Sequence, residues 1–146
     1  MAAEIIVKYV HFISIFGIIG SLVGEHLLLK PTMTRGEIKR ISRLDSIYGL
    51  CAITLLAAGM TLWFGVGKPA DYYSHNWIFH LKIGLFVIVG ILSIIPTMYY
   101  IRNRKGDAEE SVQVPGRIVM LVRIQLLIMF LIPALATLMA KGYGSF

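Results

Sequence analysis

Four long apolar runs, Ile5–Leu29, Leu44–Val66, Ile78–Ile101 and Ile118–Ala140, alternate with short polar connections. Each is about as long as the ~20 residues that carry an α-helix across a hydrocarbon core. The runs are continuous, whereas the strands of a membrane barrel would alternate with period two. The pattern predicts an all-α integral membrane protein, a single domain over 1–146, with helices at about 4–29, 35–66, 77–103 and 116–141. Short connections favour antiparallel neighbours, so the expected architecture is an up-down four-helix bundle.

Local signals set the ends. Lys30-Pro31 stops the first helix, and Thr34 with Glu37 forms a capping box that starts the second. Gly65, Gly67 and Pro69 close the second helix, and Asn76 is placed to cap the third. Trp63 and Trp77 flank this connection, where an interfacial aromatic belt belongs. Pro96 and Pro133 interrupt the third and fourth helices, and Gly106–Pro115 reads as a polar loop. Gly20 and Gly24 are spaced as GxxxG, which permits close helix packing or a homodimer.

Composition agrees. Hydrophobic residues make up 57% of the chain, above the ~45–50% of soluble domains. The net charge of +6 is explained by its placement, not by nucleic acid. Lys30, Arg35, Lys39, Arg40, Arg43, Arg102, Arg104, Lys105 and Arg117 all lie in or beside the first and third connections. At the termini and in the second connection only Lys8, Lys68 and Lys141 lie toward the other side. The positive-inside rule then puts those two connections in the cytoplasm and both termini outside. The first run is longer than a secretory h-region and lacks a small-residue cleavage site, so it is expected to stay. Cys51, the single cysteine, has no partner for an intrachain disulfide. No Walker loop, CxxC or nucleophile motif occurs.

The informative residues are polar ones inside apolar runs. A charged group at mid-bilayer costs about 2.5–3.5 kcal/mol on insertion scales, so such residues face partners or cofactors. His11 and His80 lie at similar depth near the outward ends of the first and third helices. Two imidazoles so placed are the arrangement that ligates a heme iron. Lys82 lies about 200° around the third helix from His80, which suits a heme propionate better than the iron. At the inner end, Arg43 and Asp45 read as a solvated boundary pair, and Glu25 as the counter-charge of Arg123.

The segments Phe79–Arg102 (FHLKIGLFVIVGILSIIPTMYYIR) and Val122–Gly144 (VRIQLLIMFLIPALATLMAKGYG) resemble a family of short predicted bacterial membrane proteins of unknown function. A more distant resemblance runs to the HemJ-type protoporphyrinogen oxidases, membrane proteins that bind heme b. It rests on Lys8–His11 (KYVH), on Arg43-Leu44, and on His80-x-Lys82 following a tryptophan. That resemblance implies His11 as a heme ligand, with His80, Lys82 and Arg43 in the functional region. The chain departs from those oxidases in its fourth helix, where Arg123-Ile124-Gln125 stands in place of an Asn-Glu-x-Pro element. Three readings follow. The first is a b-type heme protein of the bacterial inner membrane, with iron between His11 and His80, in redox or electron transfer with a partner such as quinone. The second is a HemJ-like oxidase acting on a porphyrin. The third is a cofactor-free ligand-binding or assembly protein.

Overall fold

The computed structural model describes Met1–Phe146. Four long helices dominate: α1 (Ala2–Leu28), α2 (Arg35–Thr61), α4 (Trp77–Asn103) and α5 (Gly116–Ala140). A π-helical turn, Leu62–Val66, extends α2, and a short helix α3 (Ala70–Ser74) follows it. Each long helix is long and apolar enough to cross a membrane. The capping box forms: the Thr34 hydroxyl accepts from the Glu37 amide at 3.2 Å, and the Glu37 carboxylate accepts from the Thr34 amide at 3.0 Å.

The helices pack in an up-down bundle, α1 on α2 and α5, and α4 on α2 and α5. Close approaches fix the register. Gly24 of α1 meets Leu44 of α2, Gly17 meets Cys51, and His11 meets Gly59, so the two helices run antiparallel. Between α2 and α4, Asp45 meets Thr97 and Trp63 meets Phe79, again antiparallel. The hydrogen bond from Tyr48 to Gln125 levels α2 with α5. At Gly17 a side chain would collide with the Cys51 sulfur, so glycine is what lets α1 and α2 come this close.

An apolar layer of Ile18, Leu22, Leu55, Val89, Val122 and Met129 fills the middle of the bundle. The outside is as apolar as the inside: Phe16, Ile53, Leu127 and many like them are more than half exposed. Water would not tolerate such a surface, whereas lipid does.

The two basic connections, expected as separate loops, pair with one another. β1 (Thr32–Thr34) and β2 (Ser111–Gln113) form a two-stranded antiparallel ribbon with Met33 opposite Val112. Met33, Ile38, Ile41, Tyr100, Val114 and Ile118 make a second apolar cluster beneath it. Arg35 fastens the ribbon through Glu110 at 3.0 Å and the Asn103 carbonyl at 2.9 Å. At the other end Asn76 caps α4 by accepting from the Ile78 amide at 2.9 Å. Its amide group donates to the Tyr143 carbonyl at 3.0 Å, which draws the C-terminal segment onto the α2–α4 connection. Gly144, at φ +88°, sits where a side chain would strike Asn76 and Ile78.

Candidate functional site

The α1–α2 register sets His11 against Gly59, and the α2–α4 register then brings α4 to the same level near Lys82 and Ile83. His11 and Lys82 line one cavity of about 240 Å³. Its remaining walls are almost wholly apolar and include Trp63, Phe79, Phe86 and Met129. Leu56, Met60, Ile83 and Val87 belong to its rim and are themselves exposed, so the cavity opens sideways toward lipid between α2 and α4.

The polar groups of this cavity are unanswered. His11 Nδ1 is enclosed and has no hydrogen-bond partner. Ser14, one turn along α1, donates to the Val10 carbonyl of its own helix at 2.7 Å. Lys82 forms no ion pair, and no carboxylate lines the cavity. Its one contact of note is with the Phe79 ring, whose centroid lies 5.9 Å from Nζ. An ammonium and an imidazole with no protein partner on one apolar cavity are suited to a ligand that brings an anion and an acceptor of its own.

His80 is elsewhere. Its Nε2 lies 2.8 Å from the Ser74 carbonyl. A carbonyl only accepts, so Nε2 carries the proton and donates. Ser74 also accepts, through Oγ, from Trp63 Nε1 at 3.2 Å. His80 therefore fastens α3 and, through Ser74, the indole that roofs the cavity. His80 does not line the cavity that His11 lines. The reason is the helical angle. With Lys82 facing inward, His80 turns toward the α2–α4 connection.

Arg43 is also apart from His11. It is exposed on α2, sixteen residues from Gly59 and hence about 24 Å along the axis. Glu25 and Asp45 differ from expectation too. Both are buried, and their carboxyl groups face each other within hydrogen-bonding reach. Arg123 points outward, exposed, and makes no ion pair. Sequence spacing alone could not show this, because Arg123 and Gln125 lie on nearly opposite faces of α5 and spacing does not say which of the two faces inward. Trp63, beside the α2–α4 connection, also lines the cavity. The π-helical turn that carries it is a widened helical turn of a kind frequent at functional sites.

The chain belongs to the family described as predicted membrane protein (DUF2214), whose model matches residues 3–144. No curated protein and no solved structure matches it, so the likeness to the HemJ-type oxidases rests on the short motifs alone.

Proposed function

We propose that this chain is a redox protein of a bacterial inner membrane that binds heme b in the lateral cavity. His11 is its single axial ligand and Lys82 the partner of a propionate. One observation carries the reading: an unpartnered imidazole and an unpaired ammonium line the same apolar cavity, with no acidic group to answer them. Heme b supplies an iron for the first, carboxylates for the second and one-electron chemistry between them. The aromatic walls of Trp63, Phe79 and Phe86 suit a flat apolar ring. At about 240 Å³ the cavity is below the ~300–1,000 Å³ of pockets that enclose a whole ligand. The bound group therefore extends through the rim into lipid, the route by which an apolar partner such as quinone also arrives.

Held by His11 and Lys82, the group would supply redox chemistry on a bound partner as well as electron transfer. The lateral opening favours a second reading on the same cavity: a porphyrin entering from lipid and oxidised there, with Lys82 holding a substrate carboxylate. The absorption spectrum of the purified protein, expressed with ample heme supply, tests the first reading. A Soret band should be present, should vanish in His11→Ala, and should persist in His80→Ala and His80→Gln. No band in the wild type, or a band lost with His80 and kept without His11, overturns it. Growth of a strain lacking protoporphyrinogen oxidase on this gene would favour the second reading.

A further inference from the structure

A second buried polar site lies at the opposite end of the bundle, under the basic connections. Glu25 of α1 is 1% exposed and Asp45 of α2 is 8% exposed. Neither takes part in an ion pair. Gly24 packs on Leu44, which sets Glu25 and Asp45 at one level across the α1–α2 seam, where their carboxyl groups meet. Two carboxylates only accept, so such a contact exists only if one of them is protonated.

The surroundings are built for a single negative charge. Thr97 of α4 donates to Asp45 Oδ2 at 2.6 Å. Tyr48 of α2 is committed elsewhere, donating to Gln125 of α5 at 2.9 Å. Tyr100 of α4 is different: it is 1% exposed, its hydroxyl has no partner, and it lies within electrostatic reach of both carboxyls. Glu25 Oε1 likewise has no partner. A buried donor left unpaired costs free energy. The Tyr100 hydroxyl is thus an unused buried donor at the level of the pair. A cavity of about 90 Å³ borders the site at Asp45, Ser93 and Thr97. The facing groups from the four helices are thus Glu25, Asp45 with Tyr48, Thr97 with Tyr100, and Gln125. No cationic side chain pairs with either carboxyl: Arg43 and Arg123 are exposed, Arg104 donates to Ser42 at 3.0 Å, and His26, next to Glu25, has an enclosed Nδ1 without a partner.

We propose that Glu25 and Asp45 form an intramembrane proton-binding site, holding one proton between them and exchanging it with the aqueous phase beneath the basic connections. Deprotonation transfers that proton to water and leaves two carboxylates, of which Asp45 keeps the hydrogen bond that Thr97 donates. The site does not depend on the heme reading, and it operates in protein without any cofactor.

Infrared difference spectroscopy of the full-length protein in lipid nanodiscs tests it. Of the eight acidic residues the other six, Glu4, Glu37, Asp71, Asp107, Glu109 and Glu110, lie at helix ends or in connections. A protonated-carboxyl band at neutral pH therefore reports the pair. The wild type should show it, and alkaline titration should remove it. Glu25→Gln and Asp45→Asn, which keep the side-chain shape, should each lose it while circular dichroism stays unchanged. No band in the wild type at neutral pH overturns the proposal, whatever the variants do. So does a band that both variants retain. Loss of the band on adding sodium or calcium chloride at constant pH also overturns it, in favour of a metal-cation site.

Discussion

Both sites depend on the register of α1 against α2, and Gly17 tests that register. A methyl group there would collide with the Cys51 sulfur. Overpacking of this kind costs about 1–3 kcal/mol. Against it stands the helix preference of alanine over glycine, about 0.8–1.0 kcal/mol. Gly17→Ala should thus destabilise the wild type, by up to about 2 kcal/mol after the two effects offset. In a Cys51→Ala background the obstructing sulfur is gone, and only the preference for alanine remains. There the same substitution should stabilise, by up to about 1 kcal/mol. The sign reverses, and the coupling between the two positions should be about 1–3 kcal/mol. Reversible unfolding in mixed micelles, followed by circular dichroism, measures all four corners of this cycle. If Gly17→Ala has the same effect in both backgrounds, the helices do not meet there. The facing of His11 with Gly59, and of Glu25 with Asp45, would then fall with it.

Two further outcomes test the inner half of the bundle. Tyr48→Phe removes the only donor to the Gln125 side-chain carbonyl. It should cost about 1 kcal/mol, between the ~0.6 average for hydrogen bonds in membranes and the ~1–3 for a buried group left unpaired. If stability is unchanged while Gln125→Leu acts additively, the bond is not formed. The Arg35–Glu110 contact makes a pH prediction. The Arg35 guanidinium hydrogen-bonds to Glu110 and holds its carboxyl below the usual carboxylate value. A depressed pKa stabilises the fold above the unfolded value of about 4.3, and the gain is lost as pH falls through the folded value. Hydrogen exchange at the β1–β2 ribbon should therefore be slower in the wild type than in Glu110→Gln at neutral pH. The difference should disappear in acid. A difference that persists there would assign the effect to something other than this ion pair.

The four spans, their caps and their antiparallel order were legible because each rests on local chemistry: run length, Thr34 with Glu37, Asn76. The ribbon between β1 and β2 was not, because it pairs segments nearly eighty residues apart whose composition reads as loop. Within the cavity, His11 and Lys82 were legible as polar residues in apolar runs, and helical geometry correctly set Lys82 apart from His80. What spacing could not decide was which of those two faces looks inward. The preference for a pair of histidines over a histidine and a lysine came from chemistry, not from the angle. The same ambiguity hid the carboxyl pair. Arg123 and Gln125 lie about 200° apart around α5, and a counter-charge rule favours the arginine as the inward residue. In the structure Gln125 is buried against Tyr48 instead.

The placement of the two sites constrains how they relate. His11 and Glu25 are fourteen residues apart on α1, about 21 Å along the helix. Between them the bundle is closed by Ile18, Leu22, Leu55, Val89 and Met129, all buried. Ser14 and Ser21 share that stretch of α1 and are buried, but Ser14 is bonded within its own helix. A proton held by Glu25 and Asp45 therefore has no continuous polar path to the lateral cavity. Any coupling of proton binding to chemistry at His11 must pass through the packing of the helices. Gly24, level with the carboxyl pair and in contact with Leu44, is where such a shift would enter α1 against α2. It would reach the cavity at Gly59, which His11 touches. A close-packed interior transmits small displacements because it has few voids to absorb them. The two sites are thus linked by the same helix pair whose register Gly17 reports.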